Sequence, residues 1–558
     1  MKTEAEFKQE YSSLTADQML DMMYEMYLAN YSLNERINSA RRNKFGSKSE
    51  HVSEDQLSLF NEAEFITDHS PDELDTPADD NDDSETNVKT RKKKKRKDHM
   101  KDLPVRTTNL YPDGIDKEDP KYKELAPERI RVVHYQRGGY YVEEIVCHKY
   151  AQDVTDKDGQ EKTIFYEVSK DKKPARLIEN STAAPELPAH FAYEKYILCL
   201  PFDRIAKDLH NKGIPFSKQY ICQLVIRCGE DYLKLMVERM TKDLRQCHVL
   251  NMDETELEVL EWLRKEGRRD CRIWGALTGP FEKKQMAVFY YNKTREHSFI
   301  YDILDTEYHG VIQSDGYQAY TNYKYAQMKV GCMAHARRKF FDALTADSKI
   351  YKAFKKAKRK EKEDILVQYP RFADIFKMVA KMDKLFDIER KLKEEHADPE
   401  RIKAVRNEKA KPIMDEIHEY NHYLKNRYLM TGKLGDAVTY LNNQWEYLMN
   451  YLKDGEVALS NNLAEREGMK PIVMARKNFL FADTERGATV SAYYFSMLIS
   501  ARLNHLDPER YLTYVFQELS TYGLRDDVIE RILPYSDKLP AELKIKDKHK
   551  SPADDHSL

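Results

Sequence analysis

Apolar residues recur at three- and four-residue steps between Leu14 and Leu33, in the string MLDMMYEMYLANYSL. This spacing predicts an amphipathic helix, and residues 1–65 are therefore interpreted as a helical, coiled-coil-like N-terminal region. A stripe of this kind usually packs against another helix of its own chain. If the partner helix comes from a second copy, residues 10–44 form a dimerisation arm.

The apolar period changes to two over residues 128–168, where RIRVVHYQRGGYYVEEIVCHKY alternates around a Gly-Gly turn and KTIFYEVS adds a strand. These strings predict a small β unit over 106–180. Residues 181–245 return to helical spacing. There one helix ends at Gly213 and Ser217 can cap the next, which fits a DNA-binding helix-turn-helix and equally an ordinary helical hairpin.

Four short apolar strings after residue 246 predict strands, namely HVLNMDETELEVL, CRIWGALTG, KQMAVFYYN and HGVIQSDGY. Helical segments follow them, so residues 246–520 are predicted to form a mixed α/β core. The interval 345–430 is highly charged and almost without strand signal, which indicates a large helical insertion. Residues 521–558 are interpreted as a C-terminal tail.

Charged residues make up 34% of the chain, yet the net charge is only −3, so the overall balance predicts no partner. Their distribution is more informative, because an acidic run, PDELDTPADDNDDSE, is followed by the basic run KTRKKKKRK. Neither run can bury enough apolar surface to fold, so residues 66–105 are predicted to be a disordered charged linker. The basic run either contacts nucleic-acid phosphates without reading their sequence or only keeps the chain soluble.

Cysteine usage and hydropathy predict the compartment. The seven cysteines include no CxxC pair and suggest no disulfide framework, which favours a reducing environment. There is no signal peptide, and no apolar run approaches the ~20 residues of a membrane span. We therefore expect a cytoplasmic protein without a membrane partner.

Two of the predicted strands end in an aspartate: Asp253 in the string VLNMDET and Asp315 in the string GVIQSDGY. Strand ends hold side chains on a rigid support while letting them leave the core. Two neighbouring carboxylates repel unless hard cations neutralise them, and Mg²⁺ prefers such oxygen ligands. A single aspartate after a strand is more often a turn or cap residue. The pair therefore raises only the hypothesis of a magnesium site for phosphoryl transfer.

Five strings, in order along the chain, resemble the transposases of IS66-type insertion sequences: NMDET, VIQSDGYQAY, GCMAHARRKFFDAL, NNLAEREGMKPIVMARKNFLFADTERGA and ARLNHLDPERYL. The N-terminal string RRNKFGSKSEHVSEDQLSLFNEAEF resembles the opening region of the same family, so the likeness spans nearly the whole chain. The resemblance implies a DDE transposase with an RNase H-like catalytic core. Such an enzyme binds the terminal inverted repeats of its element and catalyses metal-dependent cleavage and strand transfer of DNA.

Carried over to this sequence, the resemblance implies that the catalytic and metal-binding carboxylates are Asp253, Asp315 and Glu465. They would hold two Mg²⁺ ions, with Mn²⁺ as a substitute, and the insertion at 345–430 would separate the second carboxylate from the third. Glu467 is a rival for the third position. Residues two apart on an α-helix point roughly 200° apart, so only one glutamate can face the metal, and the resemblance selects Glu465.

Basic and amide side chains beside these motifs are interpreted as DNA contacts, although the basic ones could instead belong to a solvated face. They are Arg337, Arg338, Lys339, Arg476, Lys477, Asn461 and Asn462. Cys332 and His335 have the spacing of half a zinc site, but no second pair lies nearby, so zinc is not expected. The β unit keeps only Cys147 where relatives often carry a cysteine-based zinc segment, and we expect it to be metal-free.

The resemblance also implies the partners. They are double-stranded DNA, both transposon ends and target, and further copies of the chain, because two ends must be joined synchronously. Small accessory proteins of the same element are candidate partners. Two alternatives remain: a metal-dependent nuclease that cuts DNA without strand transfer, and a catalytically inactive descendant that only binds DNA. The three intact carboxylates argue against the second alternative.

Overall fold

The structure, a computed structural model, describes Thr15 and residues 103–136, 138–155, 161–179 and 181–545. The described chain divides into two compact units. The large unit comprises 103–310 and 463–545, and the small unit comprises 311–462. The predicted N-terminal helix and nearly all of the predicted charged linker lie outside the described residues.

The large unit begins with a four-stranded sheet of β1 (Val105–Leu110), β2 (Lys123–Gln136), β3 (Gly139–Thr155) and β4 (Glu161–Tyr166). β3 is the central strand. It pairs antiparallel with β2 along one edge, while parallel β1 and antiparallel β4 pair with its other edge. The turn between β2 and β3 contains Gly138 with a φ of +100°, which glycine adopts without strain. The sheet occupies the interval predicted as a β unit, although β1 begins one residue earlier.

Four helices follow: α1 (Glu186–Tyr196), α2 (Phe202–Asn211), α3 (Lys218–Cys228) and α4 (Lys234–Leu244). The Ser217 hydroxyl accepts the Tyr220 N–H at 3.1 Å, which confirms the predicted cap of α3. A π-helical turn at Gly229–Leu233 then joins α3 to α4 without a break. Within α3 only Gln219 is exposed, whereas a recognition helix must offer an open face to the major groove. This burial favours the helical hairpin over the helix-turn-helix.

Three further strands of the large unit, β5 (Val249–Glu256), β7 (Arg272–Thr278) and β8 (Ala287–Asn292), pair antiparallel in the order β5-β7-β8. Between and after them lie β6 (Glu258–Val259), α5 (Leu260–Glu266) and α6 (Phe299–Leu304). β5 continues for three residues past Asp253, because Glu254 to Glu256 still pair with β7. The prediction that Asp253 ends its strand is therefore wrong, since backbone pairing extends the strand into polar sequence.

The small unit contains two short parallel strands, β9 (Val311–Gln313) and β10 (Met328–Val330), and is otherwise helical. Its helices are α7 (Gln318–Asn322), α8 (Met333–Leu344), α9 (Ser348–Lys356), α10 (Arg359–Gln368), α11 (Pro370–Glu394), α12 (Pro399–Val405), α13 (Lys411–Arg427) and α14 (Gly432–Met449). A π-helical turn at Arg406–Ala410 joins α12 to α13. The interval predicted as a helical insertion corresponds to α9 through α13.

Arg406 ties the helices of the small unit together. Its guanidinium is 2% exposed and forms two hydrogen bonds to the Glu389 carboxylate, at 2.8 and 2.7 Å. It also donates to the carbonyl oxygens of Tyr451 at 3.1 Å and Asp454 at 3.0 Å. A buried cation is tolerated only when it is paired in this way, so these bonds fix α11 and the segment after α14 to the π-helical turn.

The large unit resumes with a π-helical turn at Ala464–Met469, followed by α15 (Lys470–Phe479), β11 (Phe481–Ala482), α16 (Glu485–Leu503), α17 (Pro508–Tyr522) and α18 (Asp526–Ile532). β11 pairs parallel with β6. The chain after 521 is not a loose tail as far as 545. Val528 and Ile532 are buried, and Leu543 O accepts the Asp507 N–H at 2.8 Å. Burial of these apolar side chains overrides the polar composition of the segment.

Helix α16 covers the outer edge of β8. The Ser500 hydroxyl accepts the Ala287 N–H at 2.9 Å and donates to the Ala287 carbonyl at 3.0 Å. One turn earlier the Ser496 hydroxyl accepts the Phe289 N–H at 2.8 Å. An exposed edge strand would leave these groups open for pairing with another chain, and the two serines satisfy them within the large unit.

Two further observations bear on the expected compartment. Among the described helices, none has both the length and the apolar content needed to cross a membrane. All seven cysteines lie within the described ranges and are free thiols.

Ser500→Ala should lower the free energy of unfolding by about 1–3 kcal/mol, because it leaves a buried N–H and a buried carbonyl of β8 without their partner. Urea unfolding followed by circular dichroism measures the change. Ser520→Ala is the matched control, since that hydroxyl only donates to Gln517 O of its own helix, and its effect should stay within about 0.5 kcal/mol. Equal stability of Ser500→Ala and the wild type would contradict the role given to this serine.

Candidate functional site

Asp253 lies in the middle of β5, opposite Gly275 of β7, and Gly275 lies opposite Phe289 of β8. Directly opposed residues of antiparallel strands point to the same face of the sheet. Asp253 and Phe289 therefore share one face, with the bare Cα of Gly275 between them. Leu277 belongs to this face too, because it follows Gly275 by two positions along β7.

The continuous helix 464–479, which joins the last π-helical turn to α15, packs on this face. A Cβ atom added to Gly275 would lie 2.3 Å from Met469 Cε, and one added to Gly468 would lie 2.9 Å from Leu277 Cδ1. Both distances are too short for real atoms, so the two glycines permit the close approach of helix and sheet. We call this side of the β5-β7-β8 sheet the helix-covered face.

Glu465 lies within one turn of Gly468 and Met469, at the border of the packed side of the helix. Ala464 beside it is fully buried, whereas Glu465 is half-buried and its Oε1 atom is shielded from solvent. The structure thus brings Asp253 and Glu465 to the same face of one sheet. A strand and a helix that are far apart in sequence provide these two carboxylates.

Glu467 lies in the same turn of the helix as Glu465. The turn at Ala464–Met469 is π-helical, with hydrogen bonds that span five residues instead of four. In a π-helical turn, residues two apart still point to nearly opposite sides, roughly 160° apart, so the expected opposition of Glu465 and Glu467 is retained. Both Glu465 and Glu467 are half-buried. The choice between them as metal ligands therefore remains a prediction from the family resemblance.

An ion pair beside Asp253 was not predicted from the sequence. Arg295 Nε donates to Glu254 Oε1 at 3.1 Å, across 41 positions of the chain. Glu254 follows Asp253 on the strand, so its side chain points to the opposite face. Asp253 Oδ1 accepts the backbone N–H of Glu254 at 2.9 Å. Arg295 therefore balances the charge of Glu254, while Asp253 lies on the helix-covered face.

Asp315 belongs to the small unit, two residues after the end of β9. Its Oδ1 accepts the Tyr317 N–H at 3.0 Å, and its backbone carbonyl accepts the Tyr440 hydroxyl at 2.6 Å. Burial raises the pKa of Tyr440 well above its usual range, so this hydroxyl stays a donor. Gly316 follows with a φ of +92°, and a Cβ there would lie 2.4 Å from Gln444 Oε1. Helix α14 therefore holds the turn that presents Asp315, a contact without local sequence signal.

The three basic side chains of α8 that are predicted to contact DNA differ in how accessible they are to a phosphate group. The Arg337 guanidinium pairs with the Asp383 carboxylate of α11. Lys339 Nζ lies 4.8 Å from the centre of the Tyr440 ring, in a cation–π contact. Arg338 is exposed, with Nη1 at 3.3 Å from His335 Nε2. Of these three cations, Arg338 is the most open to an incoming phosphate.

The residues near Glu465 that are predicted to contact DNA also differ in their exposure to solvent. Asn461 is fully buried, and its backbone N–H donates to Cys332 Sγ at 3.2 Å. This burial argues against a direct DNA contact by Asn461, whose role remains a prediction. Asn462 and Lys477 are exposed. Arg476 is half-buried and donates to the backbone carbonyl of Glu256.

Comparison with known proteins adds evidence of a different kind. Residues 180–490 match the model of a family described as Transposase IS66 family, and this span holds β5, the whole small unit and the Glu465 helix. The match covers more than half of the 558-residue chain. The chain belongs to the IS66 transposase family. Residues 32–108 match a second model, described as Transposase C of IS166 homeodomain.

The IS66-family chain is also similar to proteins of Sinorhizobium fredii strain NGR234. Uncharacterized protein y4hP is 29% identical over 373 residues, which cover 64% of this chain and 63% of the relative. Uncharacterized protein y4jD is 25% identical over 377 residues, covering 65% of this chain and 68% of the relative. The chain thus spans a little under two thirds of the length of the first relative. No solved structure matches it.

In this IS66-family protein, Gly275→Ala should lower the free energy of unfolding by about 1–3 kcal/mol, because the new methyl group overlaps Met469 and Phe289. Met469→Ala removes one of these overlaps. The double variant should therefore be more stable than the sum of the two single effects predicts, and a urea-unfolding double-mutant cycle measures this coupling. Strict additivity would show that the helix does not approach the sheet at Gly275.

Proposed function

We propose that this IS66-family chain is a DDE transposase, which binds the terminal inverted repeats of an insertion sequence and catalyses DNA cleavage and strand transfer. The observation that carries the proposal is the presence of Asp253 and Glu465 on one face of the β5-β7-β8 sheet, within the span that matches the family. Asp315, in the turn after β9, is proposed as the second carboxylate of the triad and Glu465 as the third. The catalytic core is proposed to be RNase H-like.

The donor set fits a magnesium site. All three proposed ligands are carboxylates, which are the hard oxygen donors that Mg²⁺ prefers, and Mn²⁺ accepts the same ligands. They are half-buried, so they can reach both an ion and a bound DNA strand. Two bound ions would supply Lewis-acid activation and stabilise the charge that develops at the phosphate. We propose no role for zinc.

The residues of the chain would act by position and charge. Asp253 and Glu465 are held by a strand and a packed helix, which limits their movement. In the first step a water oxygen attacks the phosphorus at the transposon end, and the bond to the 3′-oxygen of the transposon strand breaks. In the second step that freed 3′-hydroxyl attacks a target phosphorus, and the target strand loses its own 3′-oxygen bond. Neither step requires a covalent bond between protein and DNA.

DNA would be held by backbone contacts from the exposed side chains Arg338, Lys477 and Asn462, and from Lys339, which follows Arg338 in the chain. We propose that the chain acts in the cytoplasm as a dimer or larger assembly, because two transposon ends must be cut and joined together. Small accessory proteins of the element are proposed partners. A metal-dependent nuclease without strand transfer is the alternative that shares the same carboxylates.

Asp253→Asn, Asp315→Asn and Glu465→Gln should each lower strand transfer at least about a hundredfold, because each removes a negatively charged metal ligand. The assay incubates the purified full chain with element-end duplex, target plasmid and Mg²⁺, and follows joined products on a gel. Glu467→Gln is the matched control, two residues from Glu465 and also half-buried. It should stay within about threefold of the wild type, a change of under 1 kcal/mol.

The outcomes separate the functions. Cleaved ends without joined products would identify a nuclease. Equal strand transfer by Asp315→Asn and wild type would overturn the catalytic assignment of that aspartate. Loss of activity in Glu467→Gln but not in Glu465→Gln would reassign the third carboxylate.

A further inference from the structure

A cavity of about 420 Å³ lies in the small unit between helices α8 and α11. Phe341 of α8 and Phe386 of α11 line it, and both are half-exposed. The volume falls within the range of about 300–1,000 Å³ that is typical of small-ligand sites. Two aromatic rings left partly open to solvent in a cavity of this size suit a flat ligand, because flat groups stack on aromatic faces.

The charged side chains of the cavity favour an anion. Arg337 pairs with Asp383, which fixes both groups and balances their charges. The Arg337 guanidinium also lies 5.8 Å from the centre of the Phe341 ring, so it holds one side of the aromatic wall. Arg338 adds a positive charge that is open to solvent. The lining thus combines stacking surfaces, an exposed arginine and a carboxylate that is fixed by an ion pair.

We propose that this cavity binds one unstacked nucleotide of the element-end DNA. The base would stack on Phe341 and Phe386, and its phosphate would pair with Arg338. At the base edge, Asp383 would accept a hydrogen bond, or Asn462 would donate or accept one. The inference rests on the proposed transposase function. Asn462, which lines the cavity, precedes Glu465 by three residues in the chain.

A nucleotide suits the cavity better than an acidic peptide does. Every base offers a flat π surface next to a phosphate, which matches two phenyl rings beside an arginine. A carboxylate at the wall would repel an acidic peptide, whereas it can accept a hydrogen bond from an amino group of a base. Bases inside a duplex are stacked and cannot enter such a cavity, so the ligand must be an unpaired nucleotide.

The experiment measures the affinity of the full chain for three fluorescein-labelled DNAs by anisotropy, without Mg²⁺ so that no cleavage occurs. The first DNA is the blunt element-end duplex, and the second carries a short single-stranded extension. The third has the same extension with abasic sites in place of the bases. The wild type should bind the second DNA about tenfold more tightly than either of the others.

Phe341→Leu and Phe386→Leu keep the apolar volume of the wall but remove its stacking surface. Each should abolish the tenfold preference while leaving affinity for the blunt duplex unchanged. On the abasic extension these variants should bind as tightly as the wild type. Without a base there is no stacking interaction left for the phenylalanine ring to contribute. Arg338→Ala should weaken binding of the extended DNA. Arg359→Ala is its control, since that arginine is 96% exposed on α10 and lies outside the cavity lining.

Several results would overturn the inference. One is an unchanged preference in both phenylalanine variants, and another is a wild type that shows no preference. A third is variants that keep every DNA affinity but no longer bind an accessory protein of the element, which would make the cavity a peptide site. Failure of the proposed function is distinguishable, because it appears as absent binding of the blunt duplex and absent strand transfer by the wild type.

Discussion

The close approach of helix 464–479 to the β5-β7-β8 sheet is the contact on which the large unit depends. It exists because Gly275 and Gly468 leave room for Met469 and Leu277, at distances that any added Cβ would violate. Dispersion energy falls steeply with separation, so a helix held this close also gains the most from its packing. The same contact brings Glu465 to the face that carries Asp253. Stability and the geometry of the proposed site therefore rest on one pair of glycines.

Charge in the sequence does not translate directly into a DNA-binding surface. The sequence alone does not distinguish Arg337 and Arg476 from Arg338 and Lys477. In the structure, however, Arg337 pairs with a carboxylate and Arg476 donates to a backbone carbonyl. Surface ion pairs contribute little stability, typically about 0–1 kcal/mol, so such pairs can open when a phosphate competes. Arg338 and Lys477 are exposed. Their exposure supports the proposal that they make the first contacts to a DNA backbone.

Local patterns predicted local structure, and long-range contacts account for the differences. The strand β2 lies in a segment with apolar alternation, β5 and β8 begin in short apolar strings, and the Ser217 cap needs only its own helix. The sequence could not indicate that β5 continues past Asp253, because that depends on pairing with β7. Burial of Asn461 depends in the same way on the fold around it. The choice of Asp253 and Glu465 as metal ligands stays a prediction from the family resemblance, whereas their position on one face of one sheet is visible only in the fold.

The π-helical turns explain how a carboxylate can lie beside so tight a contact. Ala464 and Met469 are buried and lie five residues apart, as one π-helical turn requires. In a regular α-helix the position four residues before Met469 would be buried instead, and that residue is Glu465. A fully buried carboxylate is costly unless it is paired. The extra residue gives the buried position to Ala464 and moves Glu465 to the border.

π-helical turns are not by themselves a mark of function. The turn at Gly229–Leu233 serves packing, because a Cβ on Gly229 would lie 2.5 Å from Val490. The turn at Arg406–Ala410 positions a buried cation for its carboxylate partner. What distinguishes Ala464–Met469 is an acidic side chain that is spared full burial and still kept against the sheet that carries Asp253. A carboxylate of that kind can serve as a metal ligand, because it has a rigid support on one side and access to solvent on the other.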